Sequence, residues 1–223
     1  MKKLLWAALL VGLTATGVRA DDKESAKEGL KELHEFIGGW KGSSRIGKVE
    51  TENFEWSWNF KGDVSLVLKA DKGKFLKEGV LKFVPSKKLY VLTLTDAKGS
   101  KRDFEGTFED NNLRLERTDP GTKEVQKLTM NTFAEGVRFA YVYERKPEGR
   151  TQFIKDYSVA ATKLGESLGK TEKKPECVVS GGVGTMAVTY KGETFYVCCS
   201  GCRDEFNSNP EKYVKEFKAK KNK

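Results

Sequence analysis

Residues 53–61 read NFEWSWNFK, with Phe54, Trp56, Trp58 and Phe60 alternating with Asn53, Glu55, Ser57, Asn59 and Lys61. A period of two places the four rings on one face of an extended chain and the polar side chains on the other. That much apolar surface needs a covered interior, so the stretch predicts a strand of a sheet with one face turned away from water.

Working outward from it, further β-rich runs fall at residues 64–70, 75–84, 89–95, 102–109, 113–118, 125–130, 137–144 and 152–159. Polar or glycine turns such as Asp71-Lys72-Gly73 and Asp119-Pro120-Gly121 end them. With a segment after Trp40 the total is about ten strands, and no crossover helix interrupts them. Short strands joined by hairpin turns predict a mainly β fold, an up-and-down antiparallel barrel. Before it, residues 21–37 predict a helix with Leu30, Leu33, His34 and Ile37 on one face and Gly38 as its cap. His34 is the only imidazole of the chain. It is expected as a lid residue on the barrel rim, with contact to a metal or ligand as the alternative.

The helix followed by Gly38-Gly39-Trp40-Lys41-Gly42 resembles the start of the calycin group, lipocalin-like or nitrobindin-like; the resemblance covers Glu32 to about Lys163, and the barrel domain is expected over residues 21–163. A barrel of this size is either filled by its own side chains or encloses a small cavity. Trp56, Trp58, Phe104, Phe108, Phe139 and Tyr141 are the candidate lining of a cavity for a small apolar ligand; the other reading of the same aromatic set is plain core. Haem-binding members of the group take a histidine from a late strand, and residues 153–161 contain none.

Residues 177–202, CVVSGGVGTMAVTYKGETFYVCCSGC, hold all four cysteines. Residues 185–190 and 193–197 read as a hairpin turning at Lys191-Gly192, which puts Cys198 at a strand end. After Gly201 the period changes: Cys202 and Phe206 suit one helical face, and a thiol near a helix N-terminus is expected to favour the thiolate. Cys177 precedes the hairpin and can fold back over both. Three thiolates from a knuckle, a strand end and a helix start make a site for Cu(I) or Zn(II). Cys199 is a less certain fourth member, because neighbours on a strand point to opposite faces. Two alternatives stay open: two disulfides in an exported protein, or a redox pair at Cys199-x-x-Cys202.

An early Cys with Ser-Gly, then Tyr190-Lys191-Gly192, Phe195-Tyr196-Val197-Cys198-Cys199, Cys202, Phe206 and Pro210-Glu211-Lys212-Tyr213, resembles the YHS domain of the TRASH-like metal-binding group. The resemblance covers residues 177 to about 214 and implies heavy-metal handling, copper above all, with metal ligands at Cys177, Cys198 and Cys202. Such modules occur beside copper transporters, so an envelope metal-transport protein is the implied partner. Val178 stands where a proline is common, and no histidine lies nearby. The small ββα(α) module spans residues 177–223. A linker, LGESLGKTEKKPE over residues 164–176, joins it to the barrel. A module this small, with a thin apolar set, needs a metal, a disulfide or a docking surface to hold it.

Residues 1–20 carry the marks of a signal peptide: Lys2 and Lys3, an apolar run over 4–13, and Val18-Arg19-Ala20 for cleavage. The run is too short to span a bilayer. The mature chain is therefore expected to start at Asp21, periplasmic or secreted, with no transmembrane segment. Losing Lys2, Lys3 and Arg19 lowers the formal charge by three from +9. The basic tail over residues 212–223 reads as a solvated helix end, with an acidic partner or membrane surface as the alternative. No nucleic-acid motif is present, and no Ser/His/Asp group, paired carboxylates or phosphate loop points to an enzyme. The sequence thus reads as an exported binder of a soft metal ion. The alternative is a carrier of a small apolar ligand whose appendage is stapled by disulfides.

Overall fold

The alternating aromatic stretch forms a strand over Thr51–Asn59, and its pattern of burial is the predicted one: Phe54, Trp56 and Trp58 point inward. The computed structural model describes residues 20–45, 49–71, 75–96, 98–166 and 174–221. Most of the expected signal segment and the middle of the expected linker lie outside these residues. Ten strands follow one another along the chain: β1 (Gly38–Ser44), β2 (Thr51–Asn59), β3 (Ser65–Asp71), β4 (Glu78–Val84), β5 (Leu89–Thr95), β6 (Lys101–Glu109), β7 (Asn112–Thr118), β8 (Val125–Phe133), β9 (Arg138–Lys146) and β10 (Ile154–Lys163). Each pairs antiparallel with the next, and β1 pairs with β10 from Trp40↔Lys163 to Ser44↔Val159, so the sheet closes into a barrel with no free edge.

Inward residues of facing strands fill the interior. Phe139 packs against Phe36, Trp40 and Phe54 with ring centroids 4.9, 5.2 and 5.3 Å apart, and Leu66, Leu68, Leu92, Phe104, Leu113, Leu115 and Leu128 are fully buried. Such interdigitation is the ordinary state of a close-packed core.

The predicted helix is shorter than its periodic pattern. The α-helix α1 (Ala20–Lys31) ends early, and a 3-10 turn follows at His34–Phe36. The tighter winding changes the phase of the side chains, so Leu33 and Phe36 enter the core and His34 is exposed, its Nδ1 3.1 Å from the Lys31 carbonyl. The expected apolar face for His34 is therefore corrected: Phe36 takes the inward place. This turn plugs one end of the barrel, fastened by the Trp40 Nε1–H bond to the Phe36 carbonyl at 2.8 Å. Gly38, at φ +124°, lets the chain swing from the turn into β1, a conformation that side chains oppose.

The remainder is the predicted hairpin and helices: β11 (Met186–Tyr190), β12 (Glu193–Val197), α2 (Ser200–Ser208) and α3 (Pro210–Lys221). Lys191 and Gly192 both have positive φ, as a two-residue hairpin turn requires. Cys202 and Phe206 share the buried face of α2 as their spacing predicts. Pro210 opens α3, and the Asn209 side chain accepts the Lys212 N–H at 3.3 Å. No helix among the described residues is long and apolar enough to cross a membrane.

Candidate metal centre

The module sits on the plugged end of the barrel, and one glycine shows how closely. A Cβ on Gly201, in the first turn of α2, would lie 1.7 Å from the carbonyl oxygen of Trp58 in β2. Only a residue without a side chain allows that approach. Lys27 of α1 reaches over the Tyr213 ring of α3 on the same side.

This docking fixes the cysteines. Cys177 starts a knuckle closed by Cys177 N–H to the Gly182 carbonyl (2.6 Å) and Gly181 N–H to the Cys177 carbonyl (2.9 Å). A parallel bridge to Tyr196 ties the knuckle to β12. Cys198 follows the end of β12, and Cys202 lies in the first turn of α2. The three Sγ atoms lie within 4.8 Å of one another, with Cys198 and Cys202 3.4 Å apart, and all three residues are buried. With metal–sulfur bonds of about 2.3 Å, sulfurs sharing one ion stand roughly 3.8–4.0 Å apart, so the set needs only small shifts to grip one. All four cysteines are free thiols.

Ser180 belongs to the arrangement and was not singled out by sequence reasoning. Its backbone N–H donates to Cys177 Sγ, and its hydroxyl shares a hydrogen bond with Cys198 Sγ, each at 3.4 Å. Bonds of this kind stabilise negative sulfur and orient it. The Ser-Gly after the knuckle valine pair was the available signal.

Cys199 faces the barrel. Its Sγ accepts the Trp58 backbone N–H at 3.3 Å while staying 3.9 Å from Cys198 Sγ. Strand alternation thus turns it toward the barrel, yet it remains in contact with Cys198 and Cys202. Protonation is unevenly shared. Contacts with Cys198 and Cys202 hold Cys177 and Cys199 below the ordinary thiol range. Cys202 is pushed up, first by burial, and Cys198 is pushed up by its contacts with Cys177 and Cys199. In the metal-free site, burial opposes the thiolate expected at Cys202 from its place in the helix.

The cluster is not sealed. A cleft of about 730 Å³ runs between barrel and module, with Cys198, Cys199 and Met186 on one wall and Ile37, Glu55 and Lys163 on the other; His34 also borders it. Lys163 Nζ donates to the Glu35 carbonyl at 3.0 Å and lies 5.0 Å from the Trp40 ring centroid. Burial pushes this amine down to about 8, against the opposing pull of Glu35.

The aromatic residues considered for a barrel cavity sit elsewhere. Trp56, Trp58, Phe104, Phe139 and Tyr141 are buried in the core, Phe108 is half-buried against it, and none of the six borders this cleft. At the far end of the barrel, sequence reasoning missed Glu52. It is buried, with the Tyr141 hydroxyl donating to it at 2.5 Å and the Tyr157 hydroxyl donating to its other oxygen. Burial and the neighbouring carboxylate hold both phenols protonated. Its phase with Phe54 and Trp56 was the signal for an inward side chain.

No protein-family model matches the chain, and no curated protein matches it. The structure is similar to the crystal structure of Rv2717c from M. tuberculosis, at 14% identity, covering 60% of this chain and 96% of that one, with a TM-score of 0.40.

Proposed function

We propose that this is an exported soft-metal-binding protein that holds Cu(I) or Zn(II) through Cys177, Cys198 and Cys202, as a binder and carrier of the ion and not as an enzyme. The observation that carries the reading is the convergence of three buried sulfurs from a knuckle, a strand end and a helix start. The resemblance of residues 177–214 to the YHS domain supports it. Three protein ligands with a cleft beside Cys198 leave room for an exchangeable position, which suits transfer of an ion to or from an envelope metal-transport protein.

Titration of the reduced, purified protein with Cu(I) or Zn(II) against a competing chelator tests the proposal. About one ion per chain is expected. Replacing Cys202 with Ser removes a ligand and is expected to lower affinity by about 100-fold or more, whereas Cys199→Ser should change it far less. A parent protein that binds neither ion, or a Cys202→Ser variant that binds as well as the parent, overturns the assignment.

A further inference from the structure

A three-thiolate set accepts either a singly or a doubly charged soft ion, so sulfur alone leaves the choice open. The two complexes differ in charge: three thiolates leave a net charge of −2 around a monovalent ion and −1 around a divalent one. In a site removed from water this surplus is costly unless a cation stands close. Several cationic side chains of the module and linker are already committed: Arg203 meets Asp204, Lys174 meets Glu166, and Lys218 and Lys220 meet Glu193 and Glu176.

The barrel supplies a cation instead. Lys163, the last residue of β10, borders the same cleft as Cys198. Its ammonium spends one donor on a neutral acceptor, the Glu35 carbonyl, and rests against Trp40. The Glu35 carboxylate accepts the Thr132 hydroxyl and acts on the ammonium through its charge. Lys163 is thus a positive charge, held by the barrel wall, on the side where the sulfur cluster opens.

We propose that Lys163 is the counter-cation of the three-cysteine centre and tilts it toward a singly charged soft ion over a doubly charged one. This rests on the metal-binding reading above. A fixed positive charge lowers the energy of a −2 assembly by about twice as much as that of a −1 assembly at the same distance. The Glu35 carboxylate acts on this ammonium in the direction that keeps it protonated, opposing the larger effect of burial. A bound ion with its three thiolates adds to that pull.

The test uses the full-length protein and two substitutions. Lys163→Gln keeps an N–H donor for the Glu35 carbonyl but removes the charge; Lys163→Arg keeps the charge. Affinities for Cu(I) and Zn(II) are measured by chelator competition, together with the thermal midpoint of the metal-free protein. The expected result is that Lys163→Gln weakens Cu(I) binding about tenfold more than Zn(II) binding, while Lys163→Arg preserves the parent's ratio. Equal weakening of both ions with a lowered metal-free midpoint would mean that Lys163 serves packing alone and would overturn the inference. So would an unchanged ratio in a parent that binds both ions, which leaves the metal reading standing. A parent that binds neither ion overturns the metal reading itself.

Discussion

Gly201 connects the two parts of the molecule at a single atom. With the Trp58 carbonyl 1.7 Å from where a methyl group would stand, Gly201→Ala must push α2 off β2, because the obstacle is backbone and cannot rotate away. A loss of about 1–3 kcal/mol is expected from overpacking of this kind, read as a lower urea midpoint. The same shift moves Cys202, one residue on, and breaks the bond between Trp58 N–H and Cys199 Sγ, so weaker metal binding should accompany it. An unchanged midpoint would show that the module does not rest on β2 in solution. Nothing in the string Cys199-Ser200-Gly201-Cys202 announces this contact, because its partner lies 143 positions earlier in the chain. The cysteines that converge were legible from spacing; the reason for the glycine beside them was not.

The β7–β8 hairpin offers a test of the turns that set the barrel's register. Asp119 Oδ1 accepts the N–H groups of Gly121 and Thr122, each at 3.0 Å. These bonds, the one from Thr122 foremost, hold its carboxyl below the ordinary aspartate value of 3.8. A carboxyl with a depressed native pKa contributes stability in full above its unfolded value and loses it as pH falls through the native value. The parent should therefore lose stability below a pH of about 3.8, and Asp119→Ala should be less stable at neutral pH yet show a smaller fall across that acid window. Chemical unfolding midpoints taken on both sides of it check this. The turn itself was readable from Asp-Pro-Gly, and the strands were readable because period two survives wherever one face is buried. The first helix is present, with Leu30, Leu33 and Ile37 buried as expected, but its last turn and His34 depart from the pattern for the opposite reason. Leu30, Leu33, His34 and Ile37 fit a 3.6-residue period, but capping the barrel mouth needs Phe36 inside, and a 3-10 turn achieves that by shifting the phase.

Barrel and module should differ in what keeps them folded. The barrel has a continuous core of aromatic and leucine side chains, whereas the module's inner set is small: Val178, Val179, Val188, Phe195, Val197, Phe206, Tyr213 and Val214 beside the cysteines. An ion present at about 100 times its dissociation constant adds roughly 2.7 kcal/mol to whatever it folds with. Removing metal by chelation should therefore speed amide hydrogen exchange in β11, β12 and α2 while leaving β2 to β9 protected. Equal loss of protection throughout would mean that the two parts unfold as one unit. The cleft between them could not be read from the sequence, since neither wall exists until the parts meet.

The pairing of β1 with β10 bears on the order in which the chain is put together. The seam joins residues 40–44 to 159–163, and every cysteine comes later. A chain delivered from its N-terminus onward can complete its cylinder while the reactive sulfurs are still to come. Lys163 and the Trp58 backbone are then already in place when Cys198 and Cys199 come to lie against that wall.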